Sequence, residues 1–323
     1  MFSGKQGDLN FWIRIGFLSF GGPAAQIALM HREIVEKNRW LSEQQYLNAL
    51  SLSLLLPGPE AMQLATYVGW RRAGLTGGLL AGLCFIGPGA LIILALATFY
   101  VSFGQNELIM SLFSGIKAAV TVIVLYSLIQ ITKRTMTGIA NWLIAVFAFA
   151  GIFLLDLPFP LILLAAALFG FFVKIRNDTG LMEEQSSIGH PCLTIALMTL
   201  IAGLAIWLLP LLVVTMLAEQ TILPELAQFF AKLAVVSFGG AYAALAYMGQ
   251  EVVSHHHWLS TTEMIDGLGL AETTPGPLIL VTEFVAFVAS YRDTLLSTEG
   301  TAIVETPLIA GCLGALISLW ATF

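Results

Sequence analysis

The sequence predicts an all-α polytopic membrane protein made of two inverted-topology repeats whose helices are broken or re-entrant. Three observations carry that reading: the composition, a duplicated proline-glycine break, and a repeat that holds register between the two halves. Of the 323 residues, 58% are hydrophobic and 11% charged, with a mean hydropathy of +0.86. Soluble domains carry about 25% charged residues. Several windows exceed the roughly 18 apolar residues needed to cross a bilayer.

Apolar segments cover residues 9–30, 47–70, 75–103, 108–131, 139–155, 157–173, 192–217, 226–248, 264–290 and 307–323, and each reads as helical. Residues 1–10 contain no cleavable apolar core, so the first segment is expected to stay in the mature protein. The second segment is interrupted at its centre by L-L-L-P-G-P-E-A-M-Q, residues 54–63. Pro57 and Pro59 bring no backbone donor and Gly58 weakens a helix, so the segment must break there. Broken backbone at membrane depth survives only inside protein or beside a water-filled cavity, and transporters place substrate sites at such breaks. A second copy, E-T-T-P-G-P, stands at residues 272–277.

The two breaks belong to a longer repeat. Ser19-Phe20-Gly21-Gly22 matches Ser237-Phe238-Gly239-Gly240, Glu33 matches Glu251, and Trp40-Leu41-Ser42 matches Trp258-Leu259-Ser260. Pro57-Gly58-Pro59 matches Pro275-Gly276-Pro277, and every pair is offset by 218 (276 minus 58) without a gap. The polar stretch 174–190 is the one plausible linker, giving an N-terminal transporter repeat at 1–173, a cytoplasmic linker at 174–190 and a C-terminal repeat at 191–323.

Charge sets the expected orientation, because cytoplasmic loops are enriched in Lys and Arg. Arg32, Lys37 and Arg39 precede the first Pro-Gly-Pro segment, and Arg71 and Arg72 follow it. A hairpin folded at Pro57–Pro59 keeps both clusters inside, and Lys133-Arg134, Lys174 and Arg176 return to the same face after further crossings. The second-copy loop 251–263 holds no Lys or Arg, as suits an external loop. An odd number of crossings between the copies makes the repeat inverted, with its site near mid-membrane.

Candidate site residues cluster at the breaks. The glycine pairs Gly21-Gly22 and Gly239-Gly240, next to Ser19 and Ser237, permit positive φ, and a helix starting after them aims its N-terminal dipole at an anion. The same pairs also suit close helix packing. Lys117 sits deep in an apolar run, where an ionisable group serves a pathway or a buried partner such as Glu60, Glu272 or Glu283. Gln63, Thr273 and Thr274 flank the breaks with groups able to coordinate substrate or cap half-helices. Glu60, Glu272 and Glu283 are the candidates for coupling or ion pairing. Arg14 reads as a snorkelling interfacial residue, and Trp40 and Trp258 as interface anchors.

Other classes find little support. A net charge of −6 with 14 scattered Lys and Arg implies no nucleic-acid partner. Cys84, Cys192 and Cys312 lie far apart without metal or disulfide spacing. His255-His256-His257 are adjacent and so cannot share a helix face as ligands, which favours a solvated loop. No GxSxG, HExxH or Walker motif is present, so neither an enzyme nor a cofactor is implied.

The motifs S-F-G-G-P-A-A-Q-I (19–27), R-E-I-V-E (32–36), R-W-L-S (39–42), L-L-P-G-P-E-A-M-Q-L-A (55–65), Y-V-G-W (67–70) and G-I-K (115–117), followed by S-F-G-G-A-Y-A, M-I-D-G-L and E-T-T-P-G-P-L-I, closely resemble the chromate ion transporter (CHR) family. The resemblance spans nearly the whole chain. It implies a multi-pass transporter of the bacterial inner (plasma) membrane, embedded in the lipid bilayer, that exports chromate and confers chromate resistance. Its substrate is a sulfate-like oxyanion, so a general oxyanion transporter is the alternative. Long members of the family continue beyond the region answering to residues 308–323, so the C-terminal repeat reads as truncated. That difference leaves room for a homo-oligomer, a complementing chain or a non-transporting membrane subunit.

Overall fold

The computed structural model describes residues 2–103, 139–155, 193–218, 221–237, 241–296 and 306–323, with scattered positions between 111 and 168. Lys117, Gly239, Gly240 and the expected linker 174–190 lie outside them, as do most of the apolar segments 108–131 and 157–173. Among the described residues there is no strand. The α-helices are α1 (Phe2–Leu18), α2 (Gly22–His31), α3 (Glu43–Leu55), α4 (Glu60–Phe103), α5 (Ile139–Leu155), α6 (Leu193–Leu217), α7 (Leu223–Val236), α8 (Ala241–Gln250), α9 (Thr261–Thr273), α10 (Val281–Leu296) and α11 (Pro307–Thr322).

The residues group into two compact units, Met1–Val120 with Ala205–Phe323, and Thr121–Leu204. In the second unit, α5 and residues Leu157, Leu161 and Ile162 border an apolar cavity of about 300 Å³. The rest of the description concerns the first unit.

The first Ser-Phe-Gly-Gly and both Pro-Gly-Pro motifs end helices, whereas Pro88 and Pro210 lie inside α4 and α6. α1 stops at Ser19, whose hydroxyl donates back to the Ile15 carbonyl at 2.6 Å, and Pro23 opens α2. α3 ends where Leu56 turns extended (ψ 145°). Gly58 then takes φ 108°, a left-handed value that favours glycine. α4 begins at Glu60 but is not one rod. Ala73 and Gly74 leave helical geometry, Gly74 at φ 64°. A Cβ on Gly69 would overlap the Gly77 carbonyl, and one on Gly77 the Gly69 carbonyl. Residues eight apart in a straight helix stand about 12 Å apart along the axis, so the contact requires the chain to reverse at 73–74. Paired glycines let the two arms close on each other.

The second copy repeats these local geometries at the same offset. Ser42 with Gln45 and Ser260 with Glu263 form capping boxes at the starts of α3 and α9. Wide turns follow α2 and α8, where the Asn38 amide donates to Glu33 (3.2 Å) and the His256 amide to Glu251 (2.8 Å). Arg39 (φ 50°) and His257 (φ 53°) occupy the same unusual conformation. Gly276 takes φ 113° beside the 108° of Gly58. The histidine triplet thus stands where the first copy carries Lys37, Asn38 and Arg39. His255 approaches Glu251 at 3.8 Å, much as Lys37 pairs with Glu33 at 2.5 Å.

α10 is the centre of this unit, buried continuously from Val281 to Ser290. Its Phe287 and Ser290 press on Gly311 and Gly314 of α11, and its Phe284 on Gly267 of α9. The part of α6 within this unit is the opposite case, with Ile206, Leu208, Leu209 and Leu212 all exposed. Such a surface is satisfied by lipid rather than water. Glu60–Phe103 and Leu197–Leu217 are, among the described residues, long and apolar enough to cross a membrane.

Candidate functional site

The breaks meet crosswise. The amide of Gly276, in the second Pro-Gly-Pro, donates to the carbonyl of Ser19 at 2.8 Å, and the amide of Gly58, in the first, reaches the carbonyl of Ser237 at 3.4 Å. Since Ser237 answers to Ser19 and Gly276 to Gly58, exchanging the two copies turns each bond into the other. A kinked helix leaves amides and carbonyls without intrahelical partners, and here each copy supplies what the other lacks.

Gln26 of α2 closes one of the two junctions. It is fully buried (0% exposed), and its Nε2 donates to the carbonyls of Ser19 (3.1 Å) and Gly276 (2.6 Å). The second copy has Ala244 at that position (244 minus 26 is 218). Gln63, one turn into α4, folds back to donate from Nε2 to the Pro57 carbonyl at 2.6 Å. Its counterpart is Val281. The Oε1 atoms of Gln26 and Gln63 are buried with no hydrogen-bond partner among the described residues.

The remaining predicted residues distribute around these junctions. Gly21 is exposed and Gly22 buried at the start of α2, which carries no side-chain cap. Pro57 is exposed and Gly58 half-buried, with Pro59 and Glu60 buried, whereas Pro275, Gly276 and Pro277 are all buried. The Ser237 hydroxyl donates to the Ala234 carbonyl at 2.8 Å. Thr273 and Thr274 turn their hydroxyls back to α9, on the carbonyls of Gly269 (2.9 Å) and Ala271 (3.3 Å). Glu272 is half-buried at the end of α9. Glu283, in the first turn of α10, is 1% exposed, and its Oε2 has no partner among the described residues.

Two residues join the site from outside the set that the motifs singled out. Gln26 lies inside the S-F-G-G-P-A-A-Q-I stretch, and the available signal was an amide in an otherwise apolar helix. Gly89 of α4 packs directly on the second break, because a Cβ there would overlap the Pro275 carbonyl. Its signal was the Pro88-Gly89 pair within an apolar run.

An aromatic cluster stands near each loop. Arg72 pairs with Asp8 at 2.8 Å and lies 3.7 Å over the Trp40 ring, which also contacts Phe11. In the second copy, Trp258 contacts Phe229, the counterpart of Phe11, and stacks on His256 with ring centroids 4.3 Å apart. Both tryptophans are held by their own copy's first helix, which fixes the loop that precedes each break.

The comparisons with known proteins identify the family of the chain. The family model described as chromate transporter matches residues 9–171 and 224–323. A probable chromate transport protein of Synechococcus elongatus is 29% identical over 284 residues, covering 87% of this chain and 68% of the relative. A chromate transport protein of Cupriavidus metallidurans is 28% identical over 317 residues, covering 97% and 70%. One from Pseudomonas aeruginosa is 31% identical over 287 residues, covering 86% and 65%. No solved structure matches. The matched segments include both Pro-Gly-Pro breaks and both serines whose carbonyls receive them, and the chain belongs to the chromate transporter family.

Proposed function

We propose that the chain moves chromate, or another sulfate-like oxyanion, across the bacterial inner membrane, in the direction of export, and so protects against chromate. The observation that carries the reading is the reciprocal pair Gly276–Ser19 and Gly58–Ser237: two broken helices from matching copies face each other, the arrangement around which transporters build a central site. In this reading the copies are inverted in topology, the Pro-Gly-Pro segments are re-entrant, and rocking of one copy against the other exposes the site to alternate sides. With the Gly58 and Gly276 amides committed to serine carbonyls, the anion is met by the first amides of α2 at Gly21 and Gly22, which a helix start leaves unbonded. Gly239-Gly240, Gln63 and the charge of Lys117 complete the donor set. Glu60, Glu272 and Glu283 supply coupling or ion pairing, and a second copy of the chain or a complementing chain is the expected partner.

The test is chromate sensitivity, with radiolabelled chromate flux, in cells expressing wild type, Lys117→Ala and Gly58→Ala. Wild type protects and both variants lose protection. Equal protection by all three overturns the site. If sulfate competes with chromate at comparable concentrations, the site is general for tetrahedral dianions; if it does not, the site is selective.

A further inference from the structure

Glu283 stands apart from the other acidic groups of the first unit. It is 1% exposed, lies six residues beyond the Pro277 break on the most deeply buried helix, and its Oε2 meets no donor among the described residues. Its counterpart in the first copy is Ala65 (283 minus 65 is 218), so the carboxyl exists on one side of the repeat only.

The helices packed on α10 are α4, α7, α9 and α11, together with the short turn Leu278–Leu280. Their cations are engaged elsewhere. Arg71 lies 3.5 Å from the Tyr67 hydroxyl, Arg72 pairs with Asp8, and Lys232 lies over the Tyr247 ring. Arg292, on α10 itself, pairs with Glu263. The other titratable groups on these elements are Glu60, Cys84 and Tyr100 of α4, Glu225 of α7, Asp266 and Glu272 of α9, Cys312 of α11, and Tyr291 and Asp293 of α10. Tyr100 donates to Asp266 at 3.0 Å, and Asp293 accepts from the Ile222 amide at 3.2 Å. None of them pairs with Glu283.

Among the described residues no cation partners Glu283, and an ionised carboxylate buried in that state is expensive, so the group takes up a cation when its surroundings close. A sodium ion needs several oxygens at once. The nearest unpartnered hydroxyls on α10, Thr282 and Ser290, do not supply them. Thr282 is the adjacent residue and points to another face, while Ser290, seven residues on, stands about 10 Å further along the axis. A single carboxyl oxygen suits a proton.

We propose that Glu283 is the site at which the chain takes up and releases a coupling proton, a reading that rests on the transport function above. Infrared difference spectra of the purified 323-residue chain show a protonated-carboxyl C=O band that is absent from Glu283→Gln and retained by Glu283→Asp. In phosphatidylethanolamine–phosphatidylglycerol vesicles with the potential clamped, an imposed pH gradient speeds radiolabelled chromate or sulfate flux at least about fivefold in wild type, the scale of a typical coupling. The ratio of rates with and without the gradient falls to about one in Glu283→Gln and is restored by Glu283→Asp. Persistence of the band or of the gradient response in Glu283→Gln overturns the proposal, as does a sodium gradient that substitutes for the pH gradient. A wild type that shows the Glu283 band yet moves neither anion overturns the transport reading itself, and the coupling role with it.

Discussion

The two Pro-Gly-Pro breaks are near-copies in sequence and backbone, yet they sit in different surroundings. The second is buried throughout, its Pro275 carbonyl against Gly89 and its Gly276 amide held at 2.8 Å, with Gln26 bridging both strands of the junction. The first opens to the surface at Pro57, its Gly58 amide stands at 3.4 Å from its acceptor, and the bridging glutamine is replaced by Ala244. The same local geometry has been locked on one side and left loose on the other. Under the alternating-access proposal, the buried junction would serve as the pivot and the open one as the part that yields.

The largest effects should fall on the buried junction. Gly276→Ala places a Cβ at φ 113°, 2.7 Å from Leu280, which combines backbone strain with overpacking for about 3 kcal/mol. Gly89→Ala, driven into the Pro275 carbonyl, belongs with it. Unfolding temperature in detergent, followed by tryptophan fluorescence, measures both. Next comes Gln26→Leu, which strips the Ser19 and Gly276 carbonyls of a buried donor and costs about 2 kcal/mol; a change within error would mean that the junction is held by packing alone. Gly58→Ala meets only the Nε2 of Gln63 at 3.0 Å, a side-chain amide that can shift against its bond to the Pro57 carbonyl, so backbone strain is the main cost, about 1 kcal/mol. Should Gly58→Ala destabilise as much as Gly276→Ala, the contrast between the junctions collapses. The smallest effects lie in the loop clusters. Arg72→Lys loses the fork to Asp8 and the stack on Trp40, worth about 0.5–1 kcal/mol, and His256→Ala on Trp258 falls below that.

Much of this was open to a reader of the sequence, because the signals were local. Proline without an amide at 57, 59, 275 and 277 forces a break wherever the chain goes. Ser42 with Gln45, and Ser260 with Glu263, announce helix starts through bonds three residues long. The offset of 218 survives in dihedral angles as faithfully as in letters. What stayed hidden was partnership at a distance. Nothing in the letters pairs Gly276 with Ser19 rather than with an anion, since a free amide and an amide bonded to a residue 257 positions away (276 minus 19) look alike in one dimension. Gln26 was passed over for a related reason: an amide in an apolar helix is informative only once two foreign carbonyls are seen to converge on it. Lys117, which the sequence places deep in an apolar run, lies outside the described residues.

The crosswise bonding between the copies has a consequence for ancestry. Bonds that map onto each other under exchange are what two identical subunits make about a dyad. A polypeptide carrying one copy would find in its own twin the carbonyl its glycine requires, whereas a single chain carrying both copies lets the two sides differ. Ala244 opposite Gln26, and Ala65 opposite Glu283, are positions at which the two copies of this chain already differ.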